Sequence, residues 1–85
     1  MVEIERVVRT REFEKNVKSV KDKQLLEIAK RQINKIINNP NVGKPLRYNL
    51  KGERTIYVKP YRLTYAVEGD KLYLLKFKHR KHVYK

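Results

Sequence analysis

The feature that most constrains this chain is a pair of apolar-rich segments, Lys59–Glu68 and Lys71–Phe77, separated by Gly69-Asp70. A Gly-Asp dipeptide between two such segments favours a tight turn, so the sequence predicts an antiparallel hairpin. Side chains in a strand point alternately to the two sides of the sheet. In the first strand this alternation places Tyr61, Leu63, Tyr65 and Val67 on one side, and Arg62, Thr64 and Ala66 on the other.

Arg62 lies in the middle of that strand, across from a face that is fit for a core. A guanidinium group in this position is a candidate for binding an anion. The alternative is an ordinary solvated strand residue, which the spacing by itself favours.

Four further segments have helix or strand patterns. Val2–Val8 and Glu53–Val58 alternate as half-buried strands do. Thr10 can cap a first helix, and a second helix should run from near Asp22 to about Asn39. The apolar stripe of the second helix predicts the residues that pack on the sheet: Leu25, Ala29, Ile33 and Ile37, widened by Leu26 and Ile36.

The predicted order is β-α-α-β-β-β, with Asn41–Asn49 as a loop. Two helices packed on one face of a mostly antiparallel four-stranded sheet make an α+β fold. The last strand is apolar on both faces, which is typical of a central strand. All 85 residues, 1–85, are expected to form one domain.

The composition indicates an anionic partner. Lys and Arg total 22 against 9 Asp and Glu, which gives a net charge of +13. Nucleic acid is the first candidate, an acidic protein the second and an anionic membrane the third. The absence of cysteine excludes disulfides and thiolate chemistry and suits a reducing compartment. Without a signal peptide or membrane span in the pattern, the expected location is cytoplasmic.

The segment Lys76–Lys85 combines five basic residues with two aromatic ones, Phe77 and Tyr84, and has no acidic residue. Cations that pair with phosphates and rings that stack on bases are both used to bind single-stranded RNA. The alternative is a disordered basic tail.

The sequence predicts no metal and no cofactor. His79 and His82 are three residues apart, but no carboxylate or thiolate lies near them in the chain. Gly43-Lys44 lacks the rest of a phosphate-binding loop. The remaining Arg, Lys, His and Tyr residues suit phosphodiester cleavage without a metal. Arginines would stabilise the phosphate charge, and RNA would supply its own 2′-hydroxyl nucleophile.

Five short motifs occur in order along nearly the whole chain. They are Asn39-Pro40, Gly43-Lys44-Pro45-Leu46, Leu50-Lys51-Gly52, Tyr61-Arg62-Leu63-Thr64-Tyr65 and His79-Arg80-Lys81-His82-Val83-Tyr84. As an ordered set, they resemble the RelE/ParE family of bacterial and archaeal toxins, most nearly an archaeal-type RelE. The resemblance implies a toxin that cuts mRNA in the ribosomal A site and that is neutralised by a RelB-like antitoxin wrapped around it.

The resemblance also implies roles for single residues. Arg62 would contact the scissile phosphate, and Arg80 matches an arginine near the C-terminus of the family. Tyr84 matches a tyrosine that stacks on the mRNA base. His79 precedes Arg80 as in many relatives, in which a C-terminal histidine sometimes helps in proton transfer.

One strand departs from the family pattern. Some RelE members carry two lysines on the strand before the hairpin, whereas the outward positions here hold Glu53, Thr55 and Tyr57. Arg54 and Lys51 are the nearest cations, so Arg54 joins the candidate catalytic residues and the general base stays unassigned. The candidate RNA-binding residues are Lys51, Tyr57, Lys78, Lys81 and Lys85.

Two other functions stay open. ParE-like members of the family poison DNA gyrase by protein contact, although they usually lack the C-terminal motif found here. The chain would otherwise be a non-catalytic basic module that binds RNA or ribosomes.

Overall fold

The computed structural model of the chain describes residues 3–46 and 52–82. They form a five-stranded sheet that carries two helices on one face. The elements are β1 (Arg6–Arg9), α1 (Arg11–Lys18), α2 (Lys23–Asn38), β2 (Lys44–Pro45), β3 (Glu53–Val58), β4 (Tyr61–Glu68), β5 (Lys71–His79) and a closing 3-10 turn (Arg80–His82). The strand order is β1-β5-β4-β3-β2, with β1 parallel to β5 and the other neighbours antiparallel.

The α+β architecture predicted from the sequence is confirmed, with one strand more than the four expected. The extra strand is β2, which lies within the segment predicted as a loop and pairs with β3 through Lys44 and Pro45. Two residues are too few to show an alternation, and a proline argues against any strand except one at an edge. The edge is where β2 lies.

The first strand is shorter at its start than the predicted Val2–Val8. Arg6 pairs with Lys71, the first residue of β5, so the residues before Arg6 have no strand beside them. Val2 lies outside the described residues. Alternation in a sequence shows which residues can be extended, but a strand also needs a partner.

Side chains of α1 cover the part of the β5 edge that β1 leaves open. Thr10 caps α1, where its hydroxyl accepts the Phe13 N–H at 3.3 Å and donates to the Leu74 carbonyl at 2.8 Å. Further along, the Asn16 side-chain oxygen accepts the Phe77 N–H at 2.9 Å. The polar groups of this strand edge are thus satisfied by a helix rather than by another strand.

The second helix begins where the sequence predicts, because the Asp22 carboxylate accepts the Gln24 and Leu25 N–H groups at 3.0 and 3.2 Å. Leu25 and Ala29 are buried as expected. Of the remaining stripe, Ile36 is fully buried, while the predicted Ile33 and Ile37 are only partly buried at the margin of the core.

The pairing of β4 with β5 contains one extra residue. Leu74 pairs with Tyr65 and Lys76 with Thr64, so Leu75 is left over in the register. A bulge of this kind shifts the alternation of the strand by one position.

The bulge decides which residues of β5 enter the core. Strict alternation from the buried Leu72 would send Lys76 and Lys78 toward the helices. With the extra residue, Phe77 faces the core instead and is 1% exposed, while both lysines point to the opposite side of the sheet.

The core lies between the helices and one face of the sheet. Its buried apolar residues are Phe13, Val20, Leu25, Ala29, Ile36, Val58, Leu63, Tyr65, Leu72, Leu74 and Phe77. Within residues 3–46 and 52–82, neither helix is long and apolar enough to cross a membrane.

We predict that Ile36→Ala lowers the free energy of unfolding by about 2–5 kcal/mol, because Ile36 is 0% exposed and its loss leaves a cavity. Ile28→Ala is the matched control, since Ile28 lies on the same helix and is 41% exposed. Chemical denaturation of both variants measures the difference. Equal midpoints would contradict the placement of α2 on the sheet.

Candidate nucleic-acid interface

The face of the sheet opposite the helices, called here the outer face, presents a row of three residues side by side. Tyr57 pairs with Arg62 across β3 and β4, and Arg62 pairs with Lys78 across β4 and β5. Directly paired residues of neighbouring strands point to the same face. The guanidinium carbon of Arg62 lies 4.8 Å from the centre of the Tyr57 ring, which is a cation–π contact. This contact and its half-buried position hold the Arg62 head group on the outer face.

Arg62 and Arg80 line one groove, called here the arginine groove. Its other lining residues are Tyr57, Lys59 and Pro60, and its volume is about 640 Å³. Arg80 follows β5 directly, and its N–H donates to the Pro60 carbonyl at 2.9 Å. The end of β5 is therefore fixed to the turn between β3 and β4, which places both arginines at the same groove.

The arginine groove is suited to an anion that carries several oxygens. A guanidinium group presents N–H donors in a plane that matches two oxygens of a phosphate. Lys59 adds a cation, and the half-exposed Tyr57 adds a ring and a hydroxyl at the same place.

A second groove lies at the same end of the sheet, beside α1. This aromatic groove has a volume of about 410 Å³ and is lined by Asn16, Ser19, Tyr61, Phe77, Lys78, His79 and Lys81. Tyr61 stacks on Phe77 with ring centres 4.9 Å apart, and the His79 ring meets Tyr61 edge-on at 5.5 Å. The structure thus places His79, a candidate catalytic residue from the sequence, in a different groove from Arg62.

Lys78 leans toward α1 although its backbone is beside Arg62. Its amine lies 2.9 Å from the Glu12 carboxylate, to which the Asn16 amide also donates at 3.4 Å. The hydrogen bond from Lys78, followed by that from Asn16, holds the pKa of the Glu12 carboxyl below its usual value. Of the predicted RNA-binding residues, Lys78 and Lys81 therefore lie in the aromatic groove, and Tyr57 lies in the arginine groove.

Arg54 is not brought to either groove. It pairs with Tyr65, whose ring is in the core, so Arg54 points to the helix side of β3, away from Arg62. Its guanidinium donates to the carbonyls of Gly43 and Asn41 at 2.7 and 3.4 Å. The sequence-based choice of Arg54 rested on its nearness in the chain, and the alternation of β3 separates it from the site.

Gly43 connects Arg54 to a buried hydroxyl. The Tyr65 hydroxyl accepts the Gly43 N–H at 2.9 Å and donates to the Pro40 carbonyl at 2.7 Å. A Cβ at position 43 would lie 2.7 Å from that hydroxyl, so only glycine fits without a shift. Burial raises the pKa of Tyr65 above its usual value of 10.0, which keeps the hydroxyl protonated as a donor.

Three sequence-predicted site residues, Lys51, Tyr84 and Lys85, lie outside the described residues. Conversely, the structure adds Lys59, Tyr61 and Glu12 to the interface. The alternation of β4 placed Tyr61 on the core-facing side of its strand, and Glu12 lies in the first turn of α1. The i,i+4 spacing of Glu12 and Asn16 signals one shared helix face, but nothing in it reveals that Lys78 lies beside that face. Among the described residues, no group of three or more His, Asp or Glu side chains could hold a metal ion.

Comparison with known proteins places the chain in the RelE/ParE superfamily of toxins. Residues 7–84 match the family described as "ParE toxin of type II toxin-antitoxin system, parDE", and the chain belongs to this family. No curated protein sequence matched the chain.

Solved structures share the fold. A chain of the toxin–antitoxin complex RelBE2 from Mycobacterium tuberculosis is 24% identical, with 94% of each chain covered and a TM-score of 0.76. The YoeB/ParE toxin from Agrobacterium tumefaciens is 18% identical, with 89% of this chain and 99% of that chain covered and a TM-score of 0.82. YafQ from E. coli is 23% identical, with 93% and 97% covered and a TM-score of 0.75.

We predict that Tyr65→Phe lowers the free energy of unfolding by about 1–3 kcal/mol, because the Gly43 N–H and Pro40 carbonyl lose their buried partner. The difference from wild type should shrink above about pH 10. There the unfolded Tyr65 loses its proton before the folded one does, so this part of the stability is lost as pH rises.

Denaturant titrations between pH 7 and 11 measure both effects. Tyr57→Phe is the matched control, because Tyr57 lies on the outer face and is 47% exposed. A constant difference between wild type and Tyr65→Phe across this range would contradict the donor role of the hydroxyl.

Proposed function

We propose that this toxin is a metal-independent endoribonuclease that cuts mRNA in the ribosomal A site, with residues 1–85 acting as one domain. The observation that supports the proposal most strongly is the arginine groove, in which Arg62 and Arg80 line one space together with Tyr57. The resemblance of the Tyr61–Tyr65 and His79–Tyr84 motifs to RelE-like toxins points to the same reaction.

In the proposed mechanism, the scissile phosphate lies in the arginine groove. The 2′-oxygen of the preceding ribose attacks the phosphorus, the bond to the 5′-oxygen of the next nucleotide breaks, and a 2′,3′-cyclic phosphate is formed. The 2′-hydroxyl gives up one proton and the 5′-oxygen gains one. Arg62 and Arg80 stabilise the added negative charge on the phosphorane oxygens, where fixed donors in a pocket act most strongly.

The remaining sequence-predicted residues act around this centre in the proposal. Tyr84 stacks on a base of the mRNA, as its counterpart in RelE-like toxins does, and Lys51 and Lys85 contact phosphates. His79 has a binding role rather than a proton-transfer role, because it lines the aromatic groove. The cation–π contact with Tyr57 keeps Arg62 in place.

We predict that Arg62→Ala and Arg80→Ala each reduce the rate of mRNA cleavage by ~10²–10³, because each removes one stabiliser of the transition-state charge. Arg62→Lys should restore little, since an ammonium lacks the planar pair of donors. The measurement is the cleavage rate of a translated mRNA with mapped cut sites, together with growth arrest on expression.

Lys71→Ala is the control, because Lys71 is an exposed cation at the far end of the same hairpin. All variants should keep the thermal unfolding temperature close to that of wild type. Cleavage at the wild-type rate by Arg62→Ala would remove the central residue of the nuclease proposal.

A second function is supported by the match to the ParE family. ParE-like toxins poison DNA gyrase, and the same basic surface would then contact a protein. A gyrase supercoiling assay with the purified chain separates the two proposals. Gyrase inhibition without mRNA cleavage would favour the ParE-like function. If the chain has neither activity, a basic binding module is the function that stays open.

We also propose a RelB-like antitoxin as a partner, since similar folds occur in the complexes RelBE2 and DinJ–YafQ. The groove between α1 and α2, here the helix groove, offers a docking place of about 400 Å³. Its apolar lining residues are Phe13, Val17, Leu26, Ala29 and Ile33, and its charged ones are Arg9, Lys23, Glu27 and Lys30. An amphipathic helix with an acidic border fits this combination.

We predict that reversing two charges of the helix groove, Lys23→Glu with Lys30→Glu, slows association with the co-encoded acidic protein roughly tenfold at low salt, because steering is lost. Lys44→Glu with Lys71→Glu is the control of equal net charge. Surface plasmon resonance at two salt concentrations measures the rates. Equal slowing by both pairs would contradict the helix groove as the docking place.

A further inference from the structure

We infer that the aromatic groove is a second RNA subsite, which holds the nucleotide next to the scissile phosphate. The base lies against Tyr61, and its phosphate is bound by Lys78 and Lys81. This inference rests on the proposed nuclease function and adds a site that the arginine groove does not include.

The aromatic residues supply a platform for a base. Phe77 is buried, at 1% exposed, and the half-buried Tyr61 stacks on it, with the two rings inclined by 12°. A base that enters the groove meets the Tyr61 ring, which is stacked on Phe77 and has the His79 ring edge-on beside it. Tyr61 is fixed by its packing, so binding does not have to order this ring. Stacking of this kind accepts any base, because every base has a π face.

The basic residues supply partners for a phosphate. Lys78 and Lys81 both line the groove, and the chain as a whole carries a charge of +13. In the structure the Lys78 amine is paired with Glu12 at 2.9 Å, and 34% of its side chain is exposed. An exposed ion pair of this kind is weak in water, so an incoming phosphate competes for the amine with little loss.

The two grooves lie at the same end of the sheet, on opposite faces. The 3-10 turn after β5 presents Arg80 to the arginine groove and the next residue, Lys81, to the aromatic groove. Tyr61 likewise lines the aromatic groove and Arg62 the arginine groove, because successive strand residues point to opposite faces. An RNA strand whose scissile phosphate is bound at Arg62, and which then turns around the start of β4, therefore enters the aromatic groove.

The first test measures binding of a fluorescent single-stranded RNA decamer to the whole chain by anisotropy, in the cleavage-deficient Arg62→Ala background. Tyr61→Leu should weaken binding about tenfold through lost stacking, and Tyr61→Phe should keep it. Tyr73→Leu is the matched control, since Tyr73 is half-buried on the outer face of β5, away from the groove. Lys81→Ala should weaken binding and reduce its salt dependence.

Wild-type affinity in Tyr61→Leu, or no binding of the decamer by the parent chain, would overturn the subsite. The experiments distinguish failure of this subsite from failure of the proposed nuclease function. If Arg62→Ala stops cleavage while Tyr61→Leu binds normally, the nuclease stands without this subsite. If Arg62→Ala still cuts mRNA, the proposed nuclease centre is wrong, and the Tyr61 result then tests RNA binding alone.

The second test concerns the exchange at Lys78. Glu12→Gln should bind the decamer several-fold more tightly, because the carboxylate no longer competes with the phosphate, and Lys78→Ala should abolish this gain. Glu14→Gln is the control, since Glu14 lies in the same first turn of α1 and pairs with Arg9 instead. An affinity of Glu12→Gln no higher than that of Glu14→Gln would overturn the place of the phosphate at Lys78.

Discussion

The Tyr65 hydroxyl joins two parts of the chain that are distant in sequence. Tyr65 is in the middle of β4, its ring belongs to the core, and its hydroxyl closes two hydrogen bonds to the segment between α2 and β2. Arg54 reinforces the same segment from β3 through the Gly43 carbonyl. The helix layer is thereby tied to the sheet at one buried point. Because the core side of β4 is fixed in this way, Arg62, three residues earlier, is held on the outer face.

Much of the fold could be predicted because its signals are local. Thr10 and Asp22 cap the helices where the sequence indicates, and the hairpin around Gly69-Asp70 follows from turn chemistry. What escaped prediction depends on contacts between distant residues. The start of β1 depends on where β5 begins, and β2 exists only because an edge of β3 is open beside it. Neither condition can be recognised from the residues of β1 or β2 themselves.

The candidate interface could be predicted from the sequence about as far as the fold could. Alternation made Arg62 a candidate, the family resemblance gave it a role, and the motif after β5 pointed to Arg80. Arg54 was assigned by nearness along the chain, although its neighbours Thr55 and Tyr57 already claimed the outward positions of β3. The pairing of Lys78 with Glu12 joins residues at opposite ends of the sequence, and no periodicity reveals such a contact. The sequence therefore predicted which residue types form the candidate interface better than it predicted their grouping into two grooves.

The extra residue at Leu75 has a consequence for how such a strand can change during evolution. Substitutions in β5 alter one position each, and most of them leave its packing and its display of cations intact. A deletion or insertion of one residue would act differently. Every side chain beyond it would change sides, so lysines would meet the core and Phe77 would meet water. The length of this strand is therefore more constrained than its composition. The extra residue lies at the two consecutive leucines, 74 and 75.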